Sequence, residues 1–285
     1  MNHDLLISAK QLQALHASHT PLRIFDCTFD LADPAAGPAK YLESHIPGAV
    51  YANLDTALSD KNGTGVSGGR HPLPSRETFA KWLSSTGLTN DMQAVVYDRN
   101  GANYCGRLWW MLKWAGHNNV AVLDGGLQAW QAAGGVVKSG MESPNLPSKY
   151  TLAESISALV ATKTVADNLG RPIQTLMDAR GAPRFRGEVE PLDPVAGHIP
   201  GALNRPFAQN MGPDGKFKPA SELRAEFTAL LAGRDPTTVV HHCGSGVSAV
   251  PNILAMQIAG LGVTGLYAGS WSDWCSDAKR PMAQG

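Results

Sequence analysis

Charge is scarce in this chain. Asp, Glu, Lys and Arg make up only 17% of its 285 residues, and 24 basic side chains balance 24 acidic ones. No basic block or acidic tail breaks that balance, so nucleic-acid and membrane-surface binding get no electrostatic support. Long apolar runs are missing as well, and nothing approaches the roughly 20 residues a bilayer-spanning helix needs. The opening Met1-Asn2-His3-Asp4-Leu5-Leu6-Ile7 has neither a basic n-region nor an apolar stretch of signal-peptide length. Cysteine is limited to Cys27, Cys105, Cys243 and Cys275, without CxxC spacing. That excludes a disulfide framework and fits free thiols in a reducing, cytoplasmic setting.

What the chain does have is internal repetition. His45-Ile46-Pro47-Gly48-Ala49 returns as His198-Ile199-Pro200-Gly201-Ala202, and Phe25-Asp26 as Met177-Asp178. Ala94-Val95-Val96-Tyr97 matches Thr238-Val239-Val240-His241, and Leu123-Asp124-Gly125-Gly126 through Trp130 matches Tyr267-Ala268-Gly269-Ser270 through Trp274. The period is domain-sized, so this is a duplication rather than a solenoid. At 285 residues the chain is long for one core and comfortable for two.

Each half alternates strand-like and helix-like segments: Leu22–Asp26 and Ala94–Asp98 as strands, Leu108–Ala115 as a helix, Ala121–Leu123 as a strand. That order predicts an α/β fold, each half a mainly parallel sheet flanked by helices. The Gly-, Pro- and Ser-rich stretch 138–155 reads as a linker between an N-terminal domain, 1–137, and a C-terminal domain, 156–285. The first half carries nine extra residues around Ser59 to Pro72, a glycine-rich stretch ending in Arg70-His71-Pro72. Long loops in compact domains are usually functional or disordered. This one is expected to reach toward the cysteine of the second half.

That cysteine is Cys243, in the run Val239-Val240-His241-His242-Cys243-Gly244-Ser245-Gly246-Val247-Ser248-Ala249. A lone cysteine is most often a buried structural residue. A strand end, a cysteine, a loop of small residues and then an apolar helical segment argue otherwise. Such a loop turns successive N–H groups inward and, with the helix N-terminus, favours an anionic sulfur. At the matching place in the first half stands Arg99, so that half has no nucleophile there. Cys105 falls within the helical stretch and reads as core. His241 and His242 precede a single cysteine without metal-ligand spacing. They read as strand-end residues, with His242 the nearer to the site. Cys243 is followed six places on by Ala249, which removes the arginine that a Cys-x5-Arg phosphatase needs.

Taken together, the paired His-Ile-Pro-Gly-Ala blocks, Leu123-Asp124-Gly125-Gly126, Asp178-Ala179-Arg180, Arg184-Phe185-Arg186-Gly187 and the Cys243 loop resemble the two-domain rhodanese superfamily of sulfurtransferases. The resemblance covers nearly the whole chain. It implies two rhodanese-like α/β domains, the first inactive and the second catalytic. It implies no metal or other cofactor. The Cys-Gly-Ser-Gly-Val loop is similar to that of the family's 3-mercaptopyruvate sulfurtransferases, whereas its thiosulfate sulfurtransferases carry Cys-Arg-Lys-Gly-Val. A loop without cationic side chains suits a monoanionic keto acid better than a compact dianion.

The resemblance assigns Cys243 as nucleophile, with Gly244, Gly246, Val247 and Ser248 cradling the transferred sulfur. Arg184 corresponds to the donor-carboxylate arginine, and Asp55, His71 and Ser245 to a proton relay, with Asp60 a nearby competitor for the Asp55 place. The family's second donor arginine lies in a Glu-Pro-Glu-Pro-Arg run. Here Glu188-Val189-Glu190-Pro191-Leu192-Asp193 stands instead, without arginine, which leaves Arg186 or Arg180 as substitutes. Arg180 is alternatively a brace behind the loop. The expected activity is transfer of a sulfane sulfur from 3-mercaptopyruvate, through a Cys243 persulfide, to a thiol acceptor such as a thioredoxin-like protein or to cyanide. Two rival readings are thiosulfate:cyanide sulfurtransfer and a non-catalytic persulfide carrier or regulatory module.

Overall fold

The computed structural model describes residues 3–18 and 20–285. They fall into two compact units. The first takes residues up to Ser59, Pro74–Ile156 and Pro213–Phe217, and the second takes Asp60–Leu73, Ser157–Gly212 and Lys218–Gly285.

The sheet of the first unit contains β1 (Leu6–Ile7), β2 (Leu22–Asp26), β3 (Val50–Tyr51), β4 (Gln93–Tyr97) and β5 (Val120–Leu123). Their order is β1-β5-β4-β2-β3, and every pairing is parallel. The central β4, Gln-Ala-Val-Val-Tyr, is buried at all its positions, as expected of a strand covered on both faces. Helix Cys105–Trp114 is buried along its whole length, which is why Cys105 belongs to the core. Burial, with Asp98 second, pushes its thiol well above the ordinary range.

The second unit repeats the plan with β6 (Ala158–Leu159), β7 (Thr175–Asp178), β8 (Leu203–Asn204), β9 (Val239–His242) and β10 (Gly265–Leu266). The order β6-β10-β9-β7-β8 is the same permutation, again all parallel. Helices Thr162–Asp167, Ala182–Phe185, Ala220–Leu231, Val250–Ile258 and Ser270–Trp274 complete it. Trp271 and Trp274 are fully buried beside Val240, Ile199 and Tyr267. Each such aromatic removes roughly 200 Å² from water, a gross gain of about 5 kcal/mol before entropy is subtracted.

The duplication extends to side-chain detail. In both Ile-Pro-Gly-Ala segments the alanine N–H bonds back to the isoleucine carbonyl, at 3.0 Å for Ala49 and 3.1 Å for Ala202. Proline and a glycine at positive φ (78° and 79°) occupy the two central places, a type II turn. The histidine before each turn donates its Nδ1–H to a carbonyl, Tyr41 O for His45 (2.7 Å) and Phe185 O for His198 (2.8 Å). Each ring also stacks on the aromatic it reaches, at 4.1 Å and 3.8 Å between centroids. The stretch 139–156 has no helix or strand and is stitched onto the rest of the first unit. Gly140 N–H bonds Leu42 O (2.7 Å), Ser148 N–H bonds Ser84 O (2.8 Å) and Ala153 N–H bonds Ala115 O (3.1 Å).

Candidate active site

Cys243 leaves the carboxyl end of β9, a strand flanked on both sides by β7 and β10. In a parallel sheet the loops after the strands gather at that edge, where α/β proteins bind ligands. The cysteine N–H donates to Ser270 Oγ (3.1 Å), and Ser270 Oγ–H donates to Tyr267 O (3.0 Å). Two carbonyls of the loop are anchored by the following helix: Trp271 N–H to Cys243 O (3.0 Å) and Ser272 N–H to Gly244 O (2.9 Å). Ser270 adopts φ +57°, the left-handed region that a non-glycine residue rarely enters. The matching residue of the first half is Gly126, at φ +59°. The second unit thus tolerates strain at this position in return for a hydroxyl that holds Cys243.

Residues 243–247 are all buried. Gly246 has φ +75°, and a Cβ there would collide with the Ala268 carbonyl oxygen and lie 2.8 Å from Ala268 Cα. Only glycine fits. Among the described residues, the N–H groups of Gly244, Ser245, Val247 and Ser248 have no protein acceptor. Buried donors without partners are uncommon and costly. Here they make up a nest suited to an anion.

The glycine-rich insertion belongs to this unit. Gly69 (φ +86°) approaches the Gly269 carbonyl so closely that a Cβ would come within 2.5 Å of it, and the next residue's N–H, that of Arg70, bonds Ser272 Oγ (3.1 Å). Asp60 N–H to Pro72 O (2.9 Å) and Val66 N–H to Leu73 O (2.8 Å) close the loop. The result places His71 Nδ1 2.7 Å from Ser245 Oγ, with both side chains buried. The Asp60 carboxylate is engaged within its own loop by Asn62 N–H and Thr64 Oγ1. Asp55 belongs to the first unit, where its N–H bonds Asn53 Oδ1 (2.8 Å).

Three guanidiniums and three carboxylates interlock beside the loop. Arg180 grips Asp178 through Nε and Nη2 (2.6 Å for the latter), donates to Gly197 O (2.7 Å) and lies over the Trp271 ring at 4.9 Å. Burial opposes charge on both partners. Even so, His242 and Arg180 hold the Asp178 carboxyl below its usual range, and Asp178 lifts Arg180 above its own. Arg184, on helix Ala182–Phe185, binds Glu190 (Nη2 to Oε1, 2.6 Å), while Asp193 bonds Arg70. Burial works against the Glu190 charge, but the Arg184 hydrogen bond and Leu192 N–H keep its carboxyl low. Arg186 faces the exposed Glu188 (2.6 Å) and is not among the groups nearest Gly244.

Arg70 is the residue that sequence reasoning passed over. Its signal was available as the charged residue closing the Gly68-Gly69 approach, but nothing in the linear order ties residue 70 to residue 193. Among the described residues, no group of three or more His, Cys, Asp and Glu is placed to hold a metal. No helix among them is long and apolar enough to cross a membrane.

A family model described as "Rhodanese-like domain" matches residues 8–133 and again 161–277. Over the full length of both proteins the chain is 46% identical to a Pseudomonas aeruginosa protein named "Probable 3-mercaptopyruvate sulfurtransferase". It is 40% identical, over 99% of this chain and 98% of the other, to a Mycobacterium tuberculosis protein named as a candidate thiosulfate sulfurtransferase, SseB. Among solved structures it is similar to the Escherichia coli 3-mercaptopyruvate sulfurtransferase SseA, with TM-score 0.77 and 32% identity over 94% of this chain and 98% of that one. The chain belongs to the rhodanese family, with one rhodanese-like domain in each half.

Proposed function

We propose that this protein is a sulfurtransferase that takes a sulfane sulfur from 3-mercaptopyruvate onto Cys243 and passes it to a thiol or to cyanide. The observation that carries the reading is the buried nest of unpartnered N–H groups around Cys243, with His71 hydrogen-bonded to Ser245 at its rim. The Cys243 thiolate attacks the donor sulfur, the sulfur–carbon bond breaks, and the electron pair leaves on carbon as the enolate of pyruvate. That enolate takes one proton to become pyruvate, and Cys243 is left as Cys–S–SH. The N–H groups of Gly244, Ser245, Val247 and Ser248 stabilise negative charge on the outer sulfur, as an oxyanion hole does for oxygen. Ser245 and His71 deliver the proton, and Asp55 is kept as the third member of the relay on the sequence resemblance alone. Arg184 holds the donor carboxylate. An acceptor thiolate then attacks the outer sulfur and releases the Cys243 thiolate, so ping-pong kinetics are expected.

The neutral Gly244-Ser245 pair favours the keto acid over thiosulfate as donor, even though several relatives are named for thiosulfate. The test is a donor panel on the wild-type protein, reading pyruvate, sulfide and thiocyanate. Higher kcat/KM with 3-mercaptopyruvate, lost mainly from kcat in His71→Ala, supports the reading. Faster turnover of thiosulfate, with His71→Ala affecting both donors equally, overturns it.

A further inference from the structure

We infer that the loop after β4 is an anion-binding nest in its own right, occupied by the carboxylate of Asp98, and that a free monocarboxylate takes the same place once that side chain is removed. The loop belongs to the first unit and Cys243 to the second, so nothing here depends on which donor Cys243 takes.

The sheet registers supply the equivalence. β2 pairs with β4 so that Asp26 lies opposite Tyr97, and β7 pairs with β9 so that Asp178 lies opposite His242. The bonds that follow agree. Cys27 N–H donates to Tyr97 O (2.8 Å) as Ala179 N–H does to His242 O (2.9 Å), and Leu127 N–H donates to Asp98 O (3.2 Å) as Trp271 N–H does to Cys243 O (3.0 Å). Gly101, at φ +65°, then falls on Gly246, at φ +75°. The residue at the place of Cys243 is therefore Asp98, and the linear match to Arg99 is one residue out.

Asp98 is 1% exposed, and its side chain folds back into the loop. Oδ1 accepts from the N–H groups of Asn100 (2.8 Å) and Ala102 (3.2 Å), and Oδ2 from those of Tyr104 (2.8 Å) and Cys105 (2.9 Å). Tyr104 and Cys105 open helix Cys105–Trp114, which gets no cap from the side chain at its own N-cap. Arg99 turns away to Thr28 Oγ1 (2.7 Å) and Lys40 O (3.1 Å), and among the described residues no Lys or Arg pairs with Asp98. A buried carboxylate is costly unless hydrogen bonds compensate it, and here inward N–H groups and a helix N-terminus do so. Ala102 sits at φ +62°, which a non-glycine residue rarely adopts, and the bond from its N–H to Asp98 offsets that strain. The counterparts of Asn100, Ala102 and Tyr104 are Ser245, Val247 and Ala249, whose N–H groups have no protein acceptor among the described residues. One loop shape thus occurs twice, supplied with an anion by Asp98 in the first unit and with a thiol by Cys243 in the second.

The experiment measures thermal unfolding of Asp98→Ala and Asp98→Gly in sodium formate, sodium acetate or sodium chloride at equal ionic strength. Asp98→Ala should lower the melting temperature of the transition it moves by about 8 to 15 °C, because the buried N–H donors lose their acceptor. Alanine keeps the Cβ and leaves the volume of one carboxylate, so formate should restore about 3 to 8 °C and the larger acetate much less. Glycine leaves room for the extra methyl group, so acetate should restore Asp98→Gly. Wild type should respond to the salts alike. Asp98→Asn keeps the shape but sets an NH2 group against N–H donors, so it should be destabilised and gain nothing from formate. A melting temperature within a few degrees of wild type in Asp98→Ala, or equal effects of formate and chloride on that variant, overturns the assignment. If these variants do not fold, Cys243→Ser is compared with and without Asp98→Cys by the ultraviolet absorbance of thiolate against pH. The introduced thiol should titrate at or below about pH 7.5, against about 8.5 for an ordinary thiol, and a midpoint at or above the ordinary value overturns the nest.

Discussion

Replacing His241 with leucine should stabilise the second unit and remove much of its sensitivity to mild acid. His241 lies on β9 two residues before Cys243; its side chain is fully enclosed and neither ring nitrogen has a hydrogen-bond partner. Burial, with His242 second, pushes its pKa down from 6.5 to about 3. The unfolded chain therefore binds a proton near pH 6.5, while the folded protein refuses it until about pH 3. Between those values the unfolded state holds more protons, so stability falls as pH falls through the window and is unaffected above it. One pKa unit corresponds to about 1.4 kcal/mol, so acidification from about pH 6.5 to 4.5 should cost about 2 to 3 kcal/mol through this residue. Near pH 7.5, leucine also abolishes the burial of two unpaired polar atoms, a gain of about 1 to 3 kcal/mol before repacking is subtracted. His242 keeps a residual slope: burial lowers its pKa as well, and Asp178 at 3.8 Å partly offsets this. The assay is urea unfolding of wild type and His241→Leu at about pH 7.5, 6 and 4.5, read on the transition that the substitution moves. If both proteins lose stability in parallel on acidification, His241 is not the proton-linked group and the burial argument fails.

Two other substitutions probe the loop itself. Gly246→Ala places a methyl group against the Ala268 backbone at φ +75°, so sulfur transfer should fall at least about tenfold, with a stability loss of about 1 to 3 kcal/mol in thermal unfolding; wild-type behaviour would show that the loop is not rigid. Ser270→Gly relieves the strain at φ +57° but removes the acceptor for Cys243 N–H, so the melting temperature should hold within a few degrees while kcat drops several-fold. A parallel loss of both would make Ser270 merely structural.

Much of this was legible in the linear chain. The repeated His-Ile-Pro-Gly-Ala blocks demand a turn with glycine at positive φ, and both segments form it. β2 occupies the Leu22–Asp26 run expected of it, and β4 differs from its expected bounds by one residue at each end. The Gly-Ser-Gly spacing after Cys243 announced a loop, and the insertion ending at His71 announced a long-range contact, which Ser245 supplies. The edge strands β1, β3, β6 and β8 are two residues long, as is β10 between β6 and β9; all are too short for any periodicity, and they exist because neighbouring strands present backbone groups to pair with. Arg70 was illegible for a different reason. Its position over Gly244 depends on the close approach of Gly69 to the Gly269 carbonyl and on Asp193, 123 residues away, and pairwise electrostatics across that separation leave no local pattern.

The central claim is that Cys243 carries the transferred sulfur. Wild-type protein mixed with 3-mercaptopyruvate, without acceptor, should gain the mass of one sulfur atom on the peptide containing Cys243 and release one equivalent of pyruvate. Cys243→Ser, folded as judged by circular dichroism, should do neither. Added sulfur on Cys27, Cys105 or Cys275, or pyruvate release by Cys243→Ser, would contradict the account.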